Sequence, residues 1–176
     1  MHILVIYTIM YITINQIFDN LNIDYTQKYM QYENEILTIF NSSELNPSLF
    51  NLDDPVILHL IALYYDSKNN YDEMIKYYLL ATEKKYVDSM YNLAYHYDVN
   101  KKSILAVKYF DMAIDHGYEE TISSIHITCK NKIDELFHIV DAYNLAVKYN
   151  QLDYKQKLQK IKDEFDFFQS IVQKYA

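Results

Sequence analysis

The chain has 176 residues, a net charge of −8, a single glycine and no arginine. One glycine excludes the glycine-rich phosphate loops of nucleotide-dependent enzymes, and an acidic chain without arginine is poorly suited to nucleic-acid binding. Turn-rich β architectures need more glycine and proline than this chain contains, so the composition favours an all-α fold. The only cysteine, Cys129, has no partner in the chain for a disulfide.

The chain begins with an apolar stretch, residues 3–14, and no lysine or arginine occurs before Lys28. The stretch is shorter than the roughly 20 residues that span a bilayer, and a signal peptide needs a positively charged start. The favoured interpretation is therefore a buried first helix or strand. A signal or a membrane anchor formed by residues 3–18 is the alternative.

An amphipathic helix is predicted over Asp24–Phe40, where aromatic and aliphatic residues recur every three or four positions. The following segment, 41–54, lacks this periodicity and is interpreted as a loop. Asp54 is suited to cap the next helix, and Pro55 is suited to its first position, where the missing amide proton has no cost.

Two helical hairpins follow, and they are copies of each other at an offset of 32 positions. The first is predicted to have helices at 56–66 and 71–84, and the second at 89–98 and 103–116. The recurring pairs are Ala62 and Ala94, Tyr65 and Tyr97, Asp66 and Asp98, Tyr77 and Tyr109, Tyr78 and Phe110, Ala81 and Ala113, and Tyr86 and Tyr118. A fixed period of this length indicates stacked units that bury their apolar faces against neighbours.

The two hairpins differ in the residue that follows their second helix. Gly117 falls where a left-handed residue commonly closes a helix. Lys85 holds the equivalent position in the first copy, so either that helix ends differently or Lys85 is strained. Small side chains that allow close helix crossings are predicted at Ala62, Ala81, Ala94 and Ala113.

A weaker third hairpin is predicted with helices at Thr121–Lys130 and Ile133–Tyr149. The last segment, Tyr154–Tyr175, has one apolar and one charged face, which suits a helix that caps a repeat array. The predicted organisation is an N-terminal segment, helix and loop (1–54), two clear and one degenerate hairpin repeats (55–150), and a C-terminal amphipathic capping helix (151–176).

The hairpins resemble the Sel-like branch of the tetratricopeptide repeat superfamily. The resemblance is carried by Leu93-Ala94-x-x-Tyr97 and by residues that follow at the family's spacing, namely Ala106, Tyr109, Phe110, Ala113, Gly117 and Thr121. It is good over 56–121, faint over 122–150 and absent before residue 50. The loop inside each hairpin is shorter than in the family and lacks its glycines, so binding by that loop is not implied.

The resemblance implies an all-α fold of antiparallel helical hairpins stacked as a short right-handed α-solenoid with a C-terminal capping helix. It also implies a non-enzymatic scaffold or adaptor that binds a protein or peptide, with no cofactor, metal, nucleic acid or small-molecule substrate. The alternative is a membrane-anchored or lumenal form of the same module, tethered by residues 3–18. The composition and the shortened repeat unit resemble those of repeat proteins of giant amoebal viruses. A cytoplasmic location is expected by default, in the host cytoplasm if the chain is viral.

Patterns that carry catalytic or metal chemistry are weak. Cys129 and His126 lie one helical turn apart and could pair as nucleophile and base, but a lone helical cysteine is more often a small buried residue. Glu135 and His138 form one E-x-x-H pair, whereas di-iron bundles need two. No catalytic or metal residues are therefore predicted, and a small Cys/His hydrolase is only a remote alternative.

A partner-binding groove is predicted along the first helices of the two hairpins, which line the concave side of solenoids of this type. Its residues are His59, Leu63, Asp66, Tyr91, Tyr95 and Asp98. Tyrosine suits such a surface because its large ring loses little entropy on binding and carries a polar tip. The alternative is that the 20 tyrosines decorate the surface without function, and that the two aspartates bond to the following turns.

Overall fold

A computed structural model describes the backbone of residues 14–21, 26–148 and 152–176. Side chains are described up to Phe137, at Val140, Asn144 and Lys148, and from Gln159 onwards. All regular elements within these ranges are helical, as predicted. They are α1 (14–21), α2 (Glu33–Phe40), α3 (Pro55–Ser67), α4 (Tyr71–Glu83), α5 (Val87–Val99), α6 (Ser103–Asp115), α7 (Ile122–Lys148) and α8 (Leu152–Lys174). Short 3₁₀ helices lie at Gln27–Tyr32, Pro47–Leu49 and Glu119–Thr121.

The chain divides into two compact units, Met1–Ser89 and Met90–Ala176, and the division falls inside α5. Most of the apolar N-terminal stretch lies outside the described residues. Its last residue, Ile14, is buried in α1 together with Phe18. Among the described residues, no helix combines the length and the apolar character that a membrane crossing requires.

The segment before the first hairpin packs as a 3₁₀ helix followed by α2, where one continuous helix was predicted. Neither element has a side chain that caps its first turn, and the first six residues wind more tightly than an α-helix. The ring of Tyr29 from the 3₁₀ helix lies 4.9 Å from the ring of Phe18. In unit 1, α2 packs against α3.

Helix α3 begins as predicted, since the carboxylate of Asp54 accepts a hydrogen bond from the amide of Val56 at 2.8 Å and Pro55 is the first helical residue. Eight consecutive residues of this helix, 57–64, are buried. A helix that is apolar on every side must be covered on every side. Helices α4 and α2 both pack against it.

The side-chain contacts within the two hairpins repeat at the offset of 32 positions seen in the sequence. Tyr65 stacks on Tyr77 with ring centroids 5.6 Å apart and planes 12° apart. Tyr97 stacks on Tyr109 at 5.7 Å and 21°. The helix bounds lie within two residues of those predicted. The two copies in the sequence are therefore two copies of one packing arrangement.

The backbone turns repeat in the same way. The left-handed residues of the described chain are two pairs at the repeat offset, Asn69 (φ 57°) with Lys101 (57°) and Lys85 (64°) with Gly117 (94°). The amides of Lys85 and Gly117 donate to the carbonyls three residues earlier at 2.8 and 2.9 Å. The left-handed position of Gly117 is thus confirmed, and of the two alternatives for Lys85 the strained conformation is the one observed.

We expect Lys85→Gly to raise the free energy of unfolding by about 1 kcal/mol, because a left-handed conformation brings the lysine Cβ close to the following carbonyl oxygen. Gly117→Lys should lower it by a similar amount. An added Cβ at Gly117 meets no heavy atom within 4 Å, so the cost there is one of backbone conformation alone. Urea denaturation measures both changes, and a destabilised Lys85→Gly variant would contradict the assignment.

The predicted third hairpin is wrong, because residues 122–148 form the single helix α7 of 27 residues. No glycine, proline or left-handed residue interrupts the chain between the two predicted helices. The buried positions Ile125, Cys129 and Leu136 continue one apolar face through the predicted turn. The residue predicted to close this hairpin, Asn150, lies outside the described residues.

Unit 2 is completed by α8, which was predicted as the C-terminal amphipathic helix. It packs along α7, and α7 packs against α6. Phe165 and Phe168 are buried on its apolar face. At its end, the ammonium of Lys174 binds the carboxylate of Asp111 on α6 at 2.6 Å, and the hydroxyl of Tyr175 bonds to the same carboxylate.

The four alanines predicted at helix crossings are fully buried, with side chains at 0 % exposure: Ala62, Ala81, Ala94 and Ala113. Small side chains at these positions let the helix axes approach closely. Their burial is consistent with the predicted crossings, which stay a prediction.

Candidate interaction surface

Two of the three predicted groove residues on α3 are buried. His59 is 1 % exposed and Leu63 is 3 % exposed, whereas Asp66 at the end of the helix is exposed. The ring of His59 packs among residues of the first hairpin and its end, 5.6 Å from the Tyr78 ring and 5.1 Å from the Tyr86 ring, and α2 packs against the same helix. His59 and Leu63 are therefore core residues rather than partner-binding residues.

His59 belongs to a buried polar cluster that the sequence did not predict. Its Nδ1 atom lies 2.9 Å from the hydroxyl oxygen of Ser89, and its ring lies 5.1 Å from the ring of Tyr86. Burial lowers the pKa of His59 to about 4; nearby Asp88 acts in the opposite direction and Lys28 in the same one. The imidazole is consequently neutral at pH 7.

Asp88 connects this cluster to the N-terminal segment. The ammonium of Lys28 forms an ion pair with its carboxylate, and the hydroxyl of Tyr29 lies 3.5 Å from the same oxygen. Burial by itself raises the pKa of Asp88, but the hydrogen bond from Lys28 and the charges nearby outweigh it and leave the pKa lowered. The carboxylate thus fastens the 3₁₀ helix to the start of α5 within unit 1.

A hydrogen-bonded serine and histidine are also a pairing used in nucleophilic catalysis. Here Ser89 is 0 % exposed and His59 is 1 % exposed. Neither side chain is accessible to a substrate in the folded chain. The geometry therefore supports a structural polar contact.

The part of the predicted groove on α5 divides into a packed residue and an exposed one. The Tyr91 ring lies 5.9 Å from the Phe110 ring and 5.4 Å from the Tyr118 ring. Tyr95, one turn further on, is 58 % exposed, and Val99 after it is 62 % exposed. Tyr95 is thus the aromatic member of the predicted groove that presents its ring to solvent.

The aspartates of the predicted groove, Asp66 and Asp98, end the first helices of the two hairpins. Their backbone carbonyls accept from the amides of Asn69 and Lys101, at 2.8 and 2.9 Å. Asp66 is exposed and Asp98 is half-buried. Both residues therefore take part in the turns through the backbone.

We expect Tyr91→Ala to lower the free energy of unfolding by about 2 kcal/mol, because it removes a ring packed against two others. Tyr95→Ala should change it by less than about 0.5 kcal/mol, since its side chain is mostly in solvent. Thermal and urea unfolding of the two single variants gives the comparison. Equal losses in both variants would show that Tyr95 is also part of the core.

Cys129 does not have the properties of a nucleophile. It is 0 % exposed, and burial raises the pKa of its thiol to about 12, with Asp98 adding to the rise. A protonated, inaccessible thiol is unreactive at neutral pH. His126 lies near Tyr175, with ring centroids 6.5 Å apart.

The structure also bears on the metal-binding pattern. Glu135 pairs with Lys132 at 3.2 Å, and the side chain of His138 lies outside the described residues. Among the residues whose placement is described, no group of three or more histidine, cysteine, aspartate or glutamate side chains is arranged to hold a metal ion.

Unit 2 contains a surface pocket of about 180 Å³ at the start of α6. It is lined by Lys101, Lys102, Ser103, Ile104, Leu105, Lys132 and Glu164. Ile104 and Leu105 are 51 % and 37 % exposed. Lys132 is held in the pocket wall by Glu164 at 3.5 Å. The pocket therefore combines an exposed apolar pair with three ammonium groups and one carboxylate.

A difference between the two copies marks this pocket in the sequence. At the repeat offset, Asn-Asn-Tyr-Asp-Glu (69–73) in the first copy becomes Lys-Lys-Ser-Ile-Leu (101–105) in the second. In the first copy the Asn70 side chain caps α4 and the first turn is acidic. In the second copy no side chain caps α6 and the first turn has no acidic residue. This pocket was not predicted, because the predicted groove was based on residues at equivalent positions of the two copies and not on the positions where the copies differ.

Comparison with protein-family models, with curated proteins and with solved structures gave no match to this chain.

Proposed function

We propose that this protein is a non-enzymatic adaptor of the Sel-like type, in which the helical hairpins stack as a short α-solenoid capped by α8 and bind a partner protein in the cytosol. The observation that carries the proposal is the repetition of one hairpin at an offset of 32 residues, in its stacked tyrosine pair and in its left-handed turn residues. Repeated hairpins build extended surfaces, and proteins made of them bind other proteins through those surfaces.

The surface proposed to bind the partner is the exposed stripe of α5 in unit 2, formed by Tyr95 and Val99 with Asp98 beside them. Two large side chains that are 58 % and 62 % exposed on successive turns offer apolar area that the fold does not use. A tyrosine supplies such area at low entropic cost and adds a hydrogen-bonding tip. A half-buried carboxylate next to them can bind a lysine or arginine of the partner.

The test is photo-crosslinking in the native cell with p-benzoylphenylalanine in place of Tyr95. The matched control carries the same replacement at Tyr71, which is 47 % exposed and lies on α4 in unit 1. A discrete crosslinked product from the Tyr95 position, absent from the Tyr71 position and lost in a Val99→Ser variant, supports the proposal. Identical crosslinking at both positions, or none at Tyr95, contradicts it.

A further inference from the structure

We infer that the pocket at the start of α6 is a docking site for an acidic peptide segment of a partner protein, in which a carboxylate side chain is followed by an apolar one. The inference rests on the proposed adaptor function and adds a second, chemically defined contact to it. The pocket lies wholly within unit 2, where the turn before α6 meets side chains of α7 and α8.

The size of the pocket indicates what it can hold. About 180 Å³ is below the roughly 300–1,000 Å³ of sites that enclose a small-molecule ligand or cofactor. One or two side chains of a peptide fit such a volume, and the rest of the peptide would lie on the surrounding surface. The pocket is therefore suited to anchoring a peptide rather than to enclosing a metabolite.

The charge of the pocket selects an acidic occupant. Three lysines line it against the single carboxylate of Glu164, in a chain whose net charge is −8. Lys132 is already paired with Glu164 and Glu135. Within the part of the chain that the structure describes, neither Lys101 nor Lys102 forms an ion pair. The ammonium of Lys102 lies 5.8 Å from the centroid of the Tyr97 ring, a contact that does not neutralise its charge, so both lysines can bind a carboxylate of a partner.

The apolar half of the pocket requires a second feature of the occupant. Ile104 and Leu105 are 51 % and 37 % exposed beside the lysines. In the first copy the equivalent positions are Asp72 and Glu73, which are the usual residues for the first turn of a helix. Isoleucine and leucine gain nothing from the helix dipole there, whereas an apolar side chain of a partner would bury them.

The experiment measures binding of fluorescein-labelled synthetic peptides to the full-length chain by fluorescence anisotropy. One peptide carries glutamates on both sides of a Leu-Phe pair, and the control peptide replaces each glutamate by lysine. Binding is measured at about 0.01 M salt, where charges interact over roughly 30 Å, and at about 0.15 M, where the range is roughly 8 Å. We expect the acidic peptide to bind, more weakly at the higher salt, and the basic peptide not to bind.

The matched variant gives the second copy the turn of the first, by Lys101→Asn, Lys102→Asn, Ile104→Asp and Leu105→Glu. Asparagine tolerates the left-handed position and caps helices, and acidic residues suit the first turn, so the variant should melt no lower than the wild type. We expect it to bind the acidic peptide at least about tenfold more weakly. If the fourfold variant melts at a lower temperature than the wild type, the binding measurement uses the double variant Lys101→Asn with Lys102→Asn instead.

The control for net charge is Lys130→Gln with Lys160→Gln, two exposed lysines of unit 2 outside the pocket, and it is matched to Lys101→Asn with Lys102→Asn, which removes the same charge. It should bind the acidic peptide as the wild type does.

Three results would overturn the inference: equal binding of both peptides, unchanged binding by the variant with the exchanged turn, or full displacement of the peptide by inorganic phosphate, which would define an anion site only. If crosslinking at Tyr95 persists in the exchanged-turn variant while the peptide fails to bind the wild type, the adaptor function stands and this inference fails. If the peptide binds and no crosslink forms at Tyr95, the pocket stands as a peptide-binding site and the partner surface proposed on α5 fails.

Discussion

The free energy of unfolding should fall by about 3 kcal/mol as the pH decreases from about 6.5 to about 4, because His59 is buried as a neutral group. Its pKa is lowered from 6.5 to about 4 in the folded chain, so over this range the unfolded chain binds a proton that the folded chain does not. The contribution of the neutral histidine to stability is fully present above pH 6.5 and is lost progressively below it. The decrease in the free energy of unfolding levels off near pH 4. Urea denaturation at a series of pH values measures the change.

The charged groups that face His59 are Asp88, which favours the protonated ring, and Lys28, which opposes it. Asp88 acts in a separate range, since its own pKa is lowered from 3.8 and its contribution is lost only as the pH falls below that value. The contributions of His59 and Asp88 to the free energy of unfolding are therefore lost over different pH ranges and can be separated in one pH series.

The variant that tests the assignment is His59→Phe with Ser89→Ala, which replaces both partners of the buried hydrogen bond by apolar groups and leaves neither unpaired. It should lose the dependence between pH 6.5 and 4. His116→Gln is the control, because His116 is exposed on unit 2, and it should retain the wild-type dependence. A wild-type free energy that stays constant over this range would contradict a buried neutral histidine.

Phe110→Ala should lower the free energy of unfolding by about 3–5 kcal/mol, the cost of removing a fully buried aromatic side chain. Phe110 is 1 % exposed, and its ring is in contact with the ring of Tyr91. The equivalent ring in the first copy, Tyr78, lies 5.6 Å from His59, which holds the position of Tyr91. Phe110 and Tyr78 thus occupy equivalent packing positions in the two hairpins.

The control for this loss is Phe137→Ala, at a phenylalanine of α7 that is 52 % exposed. We expect it to cost less than about 1 kcal/mol. Both values come from chemical denaturation at neutral pH, fitted with a common dependence on denaturant concentration. Comparable losses at the two positions would mean that Phe110 does not have the central packing role described here.

The local features of the hairpins were predictable because they depend on residues close together in the chain. The period of 32 positions placed α3 to α6 within two residues, and Asp54 with Pro55 located the start of α3. Gly117 was recognised from its residue type, whereas Lys101 was not, because lysine gives no indication of a left-handed conformation. The third hairpin was predicted by extending the period into residues 122–148, where no turn residue supports a break.

The features that could not be predicted depend on residues far apart in the chain. An apolar stripe on α3 shows that one face is buried, but it does not show that the positions predicted to face a partner, His59 and Leu63, are buried as well. The pocket brings Lys132 and Glu164 to the turn before α6, across separations that no local pattern encodes. The proposed surface on α5 was predicted in part, since Tyr95 is exposed and Tyr91 is packed.

The burial of α3 on all sides has a consequence for synthesis on the ribosome. Translation is vectorial, and domains generally fold as their residues emerge. Helix α2, which packs against α3, leaves the exit tunnel before it, so part of the cover is already present when the apolar helix α3 appears, and α4 follows directly. A circular permutant that moved residues 26–54 to the other end would release α3 without α2, and we expect it to aggregate more during expression even if its folded form were as stable as the natural chain.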